Sequence, residues 1–191
     1  MSNIAIFASG SGTNAQAITE YFKDKKTHEV KLILSNKPNA FVIERAKLLK
    51  VPAIVFDRRR FYETFEIGQI LKNEKIDLIV LAGFLWLVPE NILRTYSKRI
   101  INIHPALLPK YGGHGMYGMR VHEAVVANHE TESGITIHYV NEIYDQGEII
   151  FQAKCKVEPT DTAETVAKKV HKLEYTYFPK TIENLLNKIS S

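Results

Sequence analysis

The chain has 191 residues, 45% hydrophobic and 24% charged, ordinary globular values for a length that buries one core, so a single domain over 1–191 is expected. Its formal net charge of +4 is spread rather than clustered, which mildly favours small anionic ligands and lacks the basic patch of a nucleic-acid binder. One cysteine, Cys155, excludes an internal disulfide and a thiolate metal cluster, and no apolar stretch approaches the roughly 20 residues of a membrane span.

The chain opens Met1-Ser2-Asn3 without a basic, long-apolar, small-residue export pattern, so a soluble, cytoplasmic protein is expected. The first predicted strand, over 4–8, runs into Ser9-Gly10-Ser11-Gly12-Thr13-Asn14-Ala15, where a helix over 15–22 begins. Glycines let a backbone approach a ligand, the N–H groups of a helix start favour an anion, and Thr13 and Asn14 add side-chain donors. The same spacing fits a dinucleotide fingerprint. The second predicted strand, 30–35, however ends Ser35-Asn36-Lys37, with no acid for a ribose diol, so a phosphate monoester is the better guest.

Further strands are predicted over 53–56, 78–82 and 100–103, separated by helical spacing over 41–49, 62–73 and 89–96, with Pro89 suited to a first helical turn. The run Arg58-Arg59-Arg60 is read as a solvated loop. Continuous apolar strands alternating with helices predict an α/β fold, an open, mostly parallel twisted sheet with helices on both faces. After Pro109 the rhythm changes. Residues 110–119 carry Gly112, Gly113, Gly115 and Gly118 and read as a loop, where Lys110 is a candidate to add charge for an anion. A short helix over 120–128 follows, then β-rich segments 135–140 and 148–157 that make an antiparallel addition and flank a 141–147 loop carrying Asp145. Cys155 alternates within the second of these as a packing residue. Asp161 and Glu164 have capping-box spacing before a long helix with an apolar stripe of Val166, Val170, Leu173 and Tyr177, which Pro179 bends or interrupts.

The chemistry gathers around Asn102-Ile-His104-Pro105, which closes the apolar run Ile100-Ile101. Asn102 and His104 are two apart on a predicted strand and so face one side, at the carboxyl end where open α/β sheets place their sites. An amide that donates, an imidazole that donates or shuttles a proton, and a carboxylate at Asp145 that favours the charged imidazole answer what a tetrahedral oxyanion needs. His114, His122, His129 and His138 fall on different predicted elements and are read as surface, packing or supporting residues, so no metal site is expected.

The stretch Asn102-Ile-His104-Pro105-Ala106-Leu107-Leu108-Pro109-Lys110-Tyr111, with the glycine loop and Asp145, resembles the folate-dependent formyltransferases, most closely those that formylate a phosphoribosylated glycinamide in purine synthesis. The likeness runs from Ile4 to about Leu186. It implies 10-formyltetrahydrofolate as cosubstrate, no metal, small-molecule partners only, and a monomer or homodimer. It implies that Asn102, His104 and Asp145 are the catalytic set and that Gly12, Thr13 and Asn14 hold the acceptor phosphate. Glu174 matches a glutamate that meets the ribose hydroxyls; a solvent-facing helix residue is the plain alternative. Leu85, Trp86, Leu87 and Val88, with Asn102, line the folate pocket, although many relatives carry methionine-arginine where this chain has Leu85-Trp86. The halves 1–100 and 101–191 are then expected to serve phosphate binding and folate-linked catalysis respectively.

Rival acceptors are methionyl-tRNA and an amino sugar, whose enzymes share the Asn-x-His-Pro segment. The tRNA relatives add a C-terminal domain, whereas this sequence closes with a helix before Ser191. A nucleotide-binding module would keep residues 10–14 but has no reason to combine Asn102, His104 and Asp145. Formyltetrahydrofolate hydrolysis is the third alternative; those enzymes usually carry an added ligand-sensing domain.

Overall fold

The computed structural model describes residues 1–189; Ser190 and Ser191, part of the expected domain, lie outside the described residues. One sheet is built from β1 (Asn3–Phe7), β2 (Glu29–Ser35), β3 (Ala53–Val55), β4 (Leu78–Leu81), β5 (Ile100–His104), β6 (Glu132–Tyr139) and β7 (Ile149–Lys156). Their spatial order is β3-β2-β1-β4-β5-β6-β7. β1 to β5 are parallel, and β6 and β7 add antiparallel at one edge. Period-two alternation divides the central strands between two cores. Ile4, Ile6, Leu78 and Val80 face one, whereas Ala5, Phe7, Ile79 and Leu81 face the other. The first core is covered by α1 (Thr13–Lys25), α2 (Phe41–Leu49), α6 (Met119–Ala127) and α7 (Ala163–Ile189) through Phe22, Val42, Val125 and Phe178. The second lies under α3 (Arg58–Tyr62), α4 (Glu66–Asn73) and α5 (Glu90–Thr95) through Phe61, Leu71 and Ile92.

Four local details differ from the sequence expectations. The Arg58-Arg59-Arg60 run is helical rather than a loop, because the Asp57 carboxylate caps α3 by accepting from the Arg60 N–H at 2.8 Å. The single helix expected over 62–73 is split. The Thr64 hydroxyl donates to the Arg60 carbonyl and accepts from the Glu66 N–H, ending α3 and starting α4. The long helix is capped by Thr162 and Thr165 bonding each other's backbone N–H, while Asp161 turns back to the Glu158 N–H and Lys169. Pro179 does not interrupt α7, since Phe178 and Ile182 on either side of it are wholly buried and packing outweighs the lost helical bond.

The topology sets the site. The chain leaves β1 toward β2 on one side and returns to β4 on the other, so the carboxyl ends of β1 and β4 open a crevice at the point where strand order reverses. The glycine loop follows β1, residues 82–88 follow β4, and Asn102 and His104 end the neighbouring β5.

Candidate active site

A cleft of about 780 Å³ occupies this crevice. At one end lies the glycine loop. Gly12 caps α1 at φ +76°, a left-handed conformation that glycine adopts freely, and no side chain bonds the first N–H groups of the helix, which leaves them for an anion. Asn14 donates to Glu174 Oε2 at 2.9 Å, and His171 Nδ1 meets the same oxygen at 2.9 Å. Glu174 is thereby buried at the cleft wall rather than facing solvent. Its bond is the main reason the His171 imidazole is held above its ordinary pKa, against burial.

A further wall is the segment after β4, and Leu85, Trp86, Leu87 and Val88 all line the cleft. Its backbone is pinned from three directions. Leu85 N–H donates to Ser9 Oγ (3.1 Å), Tyr144 Oη donates to the Leu85 carbonyl (3.3 Å), and Tyr62 Oη donates to the Leu87 carbonyl (2.8 Å). The Trp86 ring packs against Phe56, Phe61 and Tyr62, and the Arg58 guanidinium lies over the Tyr62 and Trp86 rings at 4.9 and 5.8 Å. Arg60 instead pairs with Glu66 at 2.6 Å and donates to the Val55 carbonyl.

Asn102, His104 and Asp145 meet in the same cleft. Asp145 stands at φ +57°, which a short polar side chain tolerates. Its Oδ2 accepts from the Gly113 N–H at 2.9 Å and lies 3.5 Å from His104 Nδ1, while Oδ1 lies 3.4 Å from Asn102 Nδ2. His104 Nε2 donates to the Tyr111 carbonyl at 2.7 Å, so only its Nδ1 edge faces the carboxylate. Burial pushes the His104 pKa down and outweighs the Asp145 charge, which raises it. Burial therefore opposes the charged imidazole that the Asp145 carboxylate favours. Burial alone would raise the Asp145 carboxyl, but the neighbouring His138 and His104 imidazoles and the Gly113 N–H hold it below the usual range. The trio thus places one fixed anion behind an amide donor and a chargeable imidazole.

Lys110 does not join them. It is exposed and paired with Glu130 at 2.8 Å, outside the cleft. The cleft also draws on both halves of the chain, with residues 85–88 from the first and Glu174 from the second. Four more histidines line it as well: His114, His122 and His138, read from the sequence as surface, packing or supporting residues, and His171, which the sequence reading did not take up. His138 is the β6 partner of Asn102 across the antiparallel pair, a register that only the fold reveals. His171 stands three residues before Glu174, a spacing that places both on one helix face.

A formyl transferase family model matches residues 2–182. The chain is 37% identical to phosphoribosylglycinamide formyltransferase of Bacillus subtilis (strain 168), covering 97% of this chain and 95% of that one. It is also 37% identical to the chloroplastic enzyme of that name from Arabidopsis thaliana, where it covers 94% of this chain but spans only 63% of the relative. Among solved structures, phosphoribosylglycinamide formyltransferase from Bacillus Halodurans superposes with a TM-score of 0.87 at 39% identity, over 98% of this chain and 96% of that one.

Proposed function

The chain belongs to the formyl transferase family, and on that premise we propose that it transfers the formyl group of 10-formyltetrahydrofolate to the amine of 5′-phosphoribosylglycinamide in purine biosynthesis, giving the N-formyl product and tetrahydrofolate. One observation carries the proposal: an anion-ready helix start and the Asn102–His104–Asp145 trio share one cleft. Gly12, Thr13 and Asn14 hold the acceptor phosphate, and Glu174 receives the ribose hydroxyls. Leu85 to Val88 and Asn102 line the folate side.

The glycinamide nitrogen attacks the formyl carbon, a new C–N bond forms, and the carbonyl electrons move to oxygen. The Asn102 amide and the Nδ1–H of charged His104 meet that oxyanion. Asp145 favours the imidazolium that burial otherwise opposes, and it is His104 already carrying that proton whose positive charge meets the substrate oxygen as it becomes negative. A proton passes from the attacking nitrogen to N10 through water near Asp145, and the bond from carbon to N10 breaks. These groups supply the donors without a metal. The protein works as a cytoplasmic monomer or homodimer on small molecules, with neither nucleic acid nor membrane as partner.

One assay tests this. Tetrahydrofolate release is followed with phosphoribosylglycinamide, its dephosphorylated form, an amino sugar nucleotide, or no acceptor, each with and without a chelator. Turnover should require the phosphorylated glycinamide and survive chelation. Equal turnover without the phosphate overturns the acceptor assignment, and loss with chelator restored by one divalent ion overturns the metal-free route.

A further inference from the structure

We propose that His138 is a positioning residue for formyl transfer, accepting a hydrogen bond from Asn102 and so fixing which edge of that amide meets the developing oxyanion. The inference rests on the formyl-transfer reading above. His138 is 2% exposed and sits opposite Asn102 in the β5–β6 ladder. Its Nδ1 lies 2.8 Å from the Tyr139 carbonyl oxygen, which only accepts, so a proton sits on Nδ1. In the neutral ring Nε2 then carries a lone pair, and it lies 3.1 Å from Asn102 Nδ2. An amide nitrogen only donates. The flipped amide would set Oδ1 against that lone pair, so one Asn102 orientation is selected.

Nε2 is also 3.5 Å from Asp145 Oδ1; a proton there would bond the carboxylate, the arrangement in which His138 lowers the Asp145 carboxyl, whereas the Nδ1 tautomer proposed here leaves none to share. Asp145 is left to His104 and the Gly113 N–H. With one Asn102 N–H committed to His138, the other makes only the long 3.4 Å approach to Asp145 Oδ1 and is free to turn to a substrate oxygen. Gly147 completes the device. A Cβ there would lie 1.6 Å from the Tyr139 oxygen and 3.4 Å from His138 Nδ1, so the glycine is what lets that carbonyl stand against the ring.

His138→Gln keeps an acceptor near the Nε2 position, whereas His138→Leu removes it. The leucine variant should lose about 10- to 100-fold in kcat with both KM values within about threefold, and the glutamine variant should stay within about fivefold of wild type. On an Asn102→Ala background, His138→Leu should cost less than about threefold more, because the amide it orients is gone. Nitrogen-15 spectra of histidine-labelled wild type should show His138 protonated on Nδ1 and bare on Nε2. Equal losses in the two variants, additive losses with Asn102→Ala, or a proton on Nε2 donated to Asp145 would overturn the proposal. If the leucine variant does not fold, the tautomer and the glutamine variant decide it. Wild-type protein that forms no product from phosphoribosylglycinamide would instead sink the functional proposal, whereas the tautomer is read without any turnover.

Discussion

Asp145→Asn changes one atom of the trio and removes its only fixed charge, which makes it the sharpest test of the site's electrostatics. The wild-type His104 imidazole already sits below its ordinary pKa because burial outweighs the carboxylate's pull. Removing that pull should lower it further, so less imidazolium is available as the oxyanion forms, and kcat should fall by roughly two to four powers of ten with a smaller change in acceptor KM. NMR titration of His104 in both proteins, beside steady-state kinetics, checks this; an unmoved titration with near-normal kcat would reduce Asp145 to a loop residue. At this scale the sequence was legible where chemistry is local. Asn102 and His104 share a face because they are two apart on a strand, and Asp145 stands out beside Gly147. Depth is not local. The net sign at His104 follows from helices and loops that bury it, Glu174 is hidden by its bond to Asn14, and Lys110 is drawn to Glu130 rather than to a ligand.

At the scale of elements, Gly12 links helix geometry to ligand binding. Bulk there would be expected to obstruct phosphate, yet the first collision is within the protein: a Cβ would lie 2.4 Å from Val42 Cγ2 and 2.9 Å from the Val42 Cα on α2, at a φ of +76° that disfavours any side chain. Gly12→Val should therefore destabilise the fold by about 2–4 kcal/mol as well as raise acceptor KM at least about tenfold, with the folate KM changing less. Thermal melts and KM for each substrate test the pair of effects, and an unchanged Tm would show that α1 and α2 yield without strain. The same scale shows why element existence was readable and some boundaries were not. Strands β1, β2, β4 and β5 are announced by apolar runs. The α3–α4 break instead depends on a single hydroxyl, Thr64, and the α7 cap on the choice of Thr162 over Asp161. Pro179 stays inside a helix because its neighbours are fixed by the core, a fact of packing that no local pattern carries.

For the whole molecule, the alternation of strands and helices and the late antiparallel addition follow from sequence periodicity, whereas the cleft exists only once strand order reverses between β1 and β4. That arrangement buries histidines along the cleft, and it has a consequence for stability. His122 on α6 is 2% exposed, and burial first, then the neighbouring His171, push its pKa from 6.5 down to about 4. Below the unfolded value the unfolded chain takes up a proton that the folded chain refuses, so stability present above pH 6.5 is lost as pH falls toward 4, on the order of 3 kcal/mol. His104 is lowered too and acts in the same direction; Asp145, lowered from 3.8, contributes only at still lower pH. His171, raised by Glu174, opposes the loss, since it gains stability on protonation. His122→Gln removes the refused proton while keeping a polar side chain. Between pH 7.5 and 4.5 its Tm should fall by less than that of the wild type, by about 5–10 °C for a chain of this size. Parallel Tm curves for the two proteins over that range would show that His122 is not where the acid sensitivity resides.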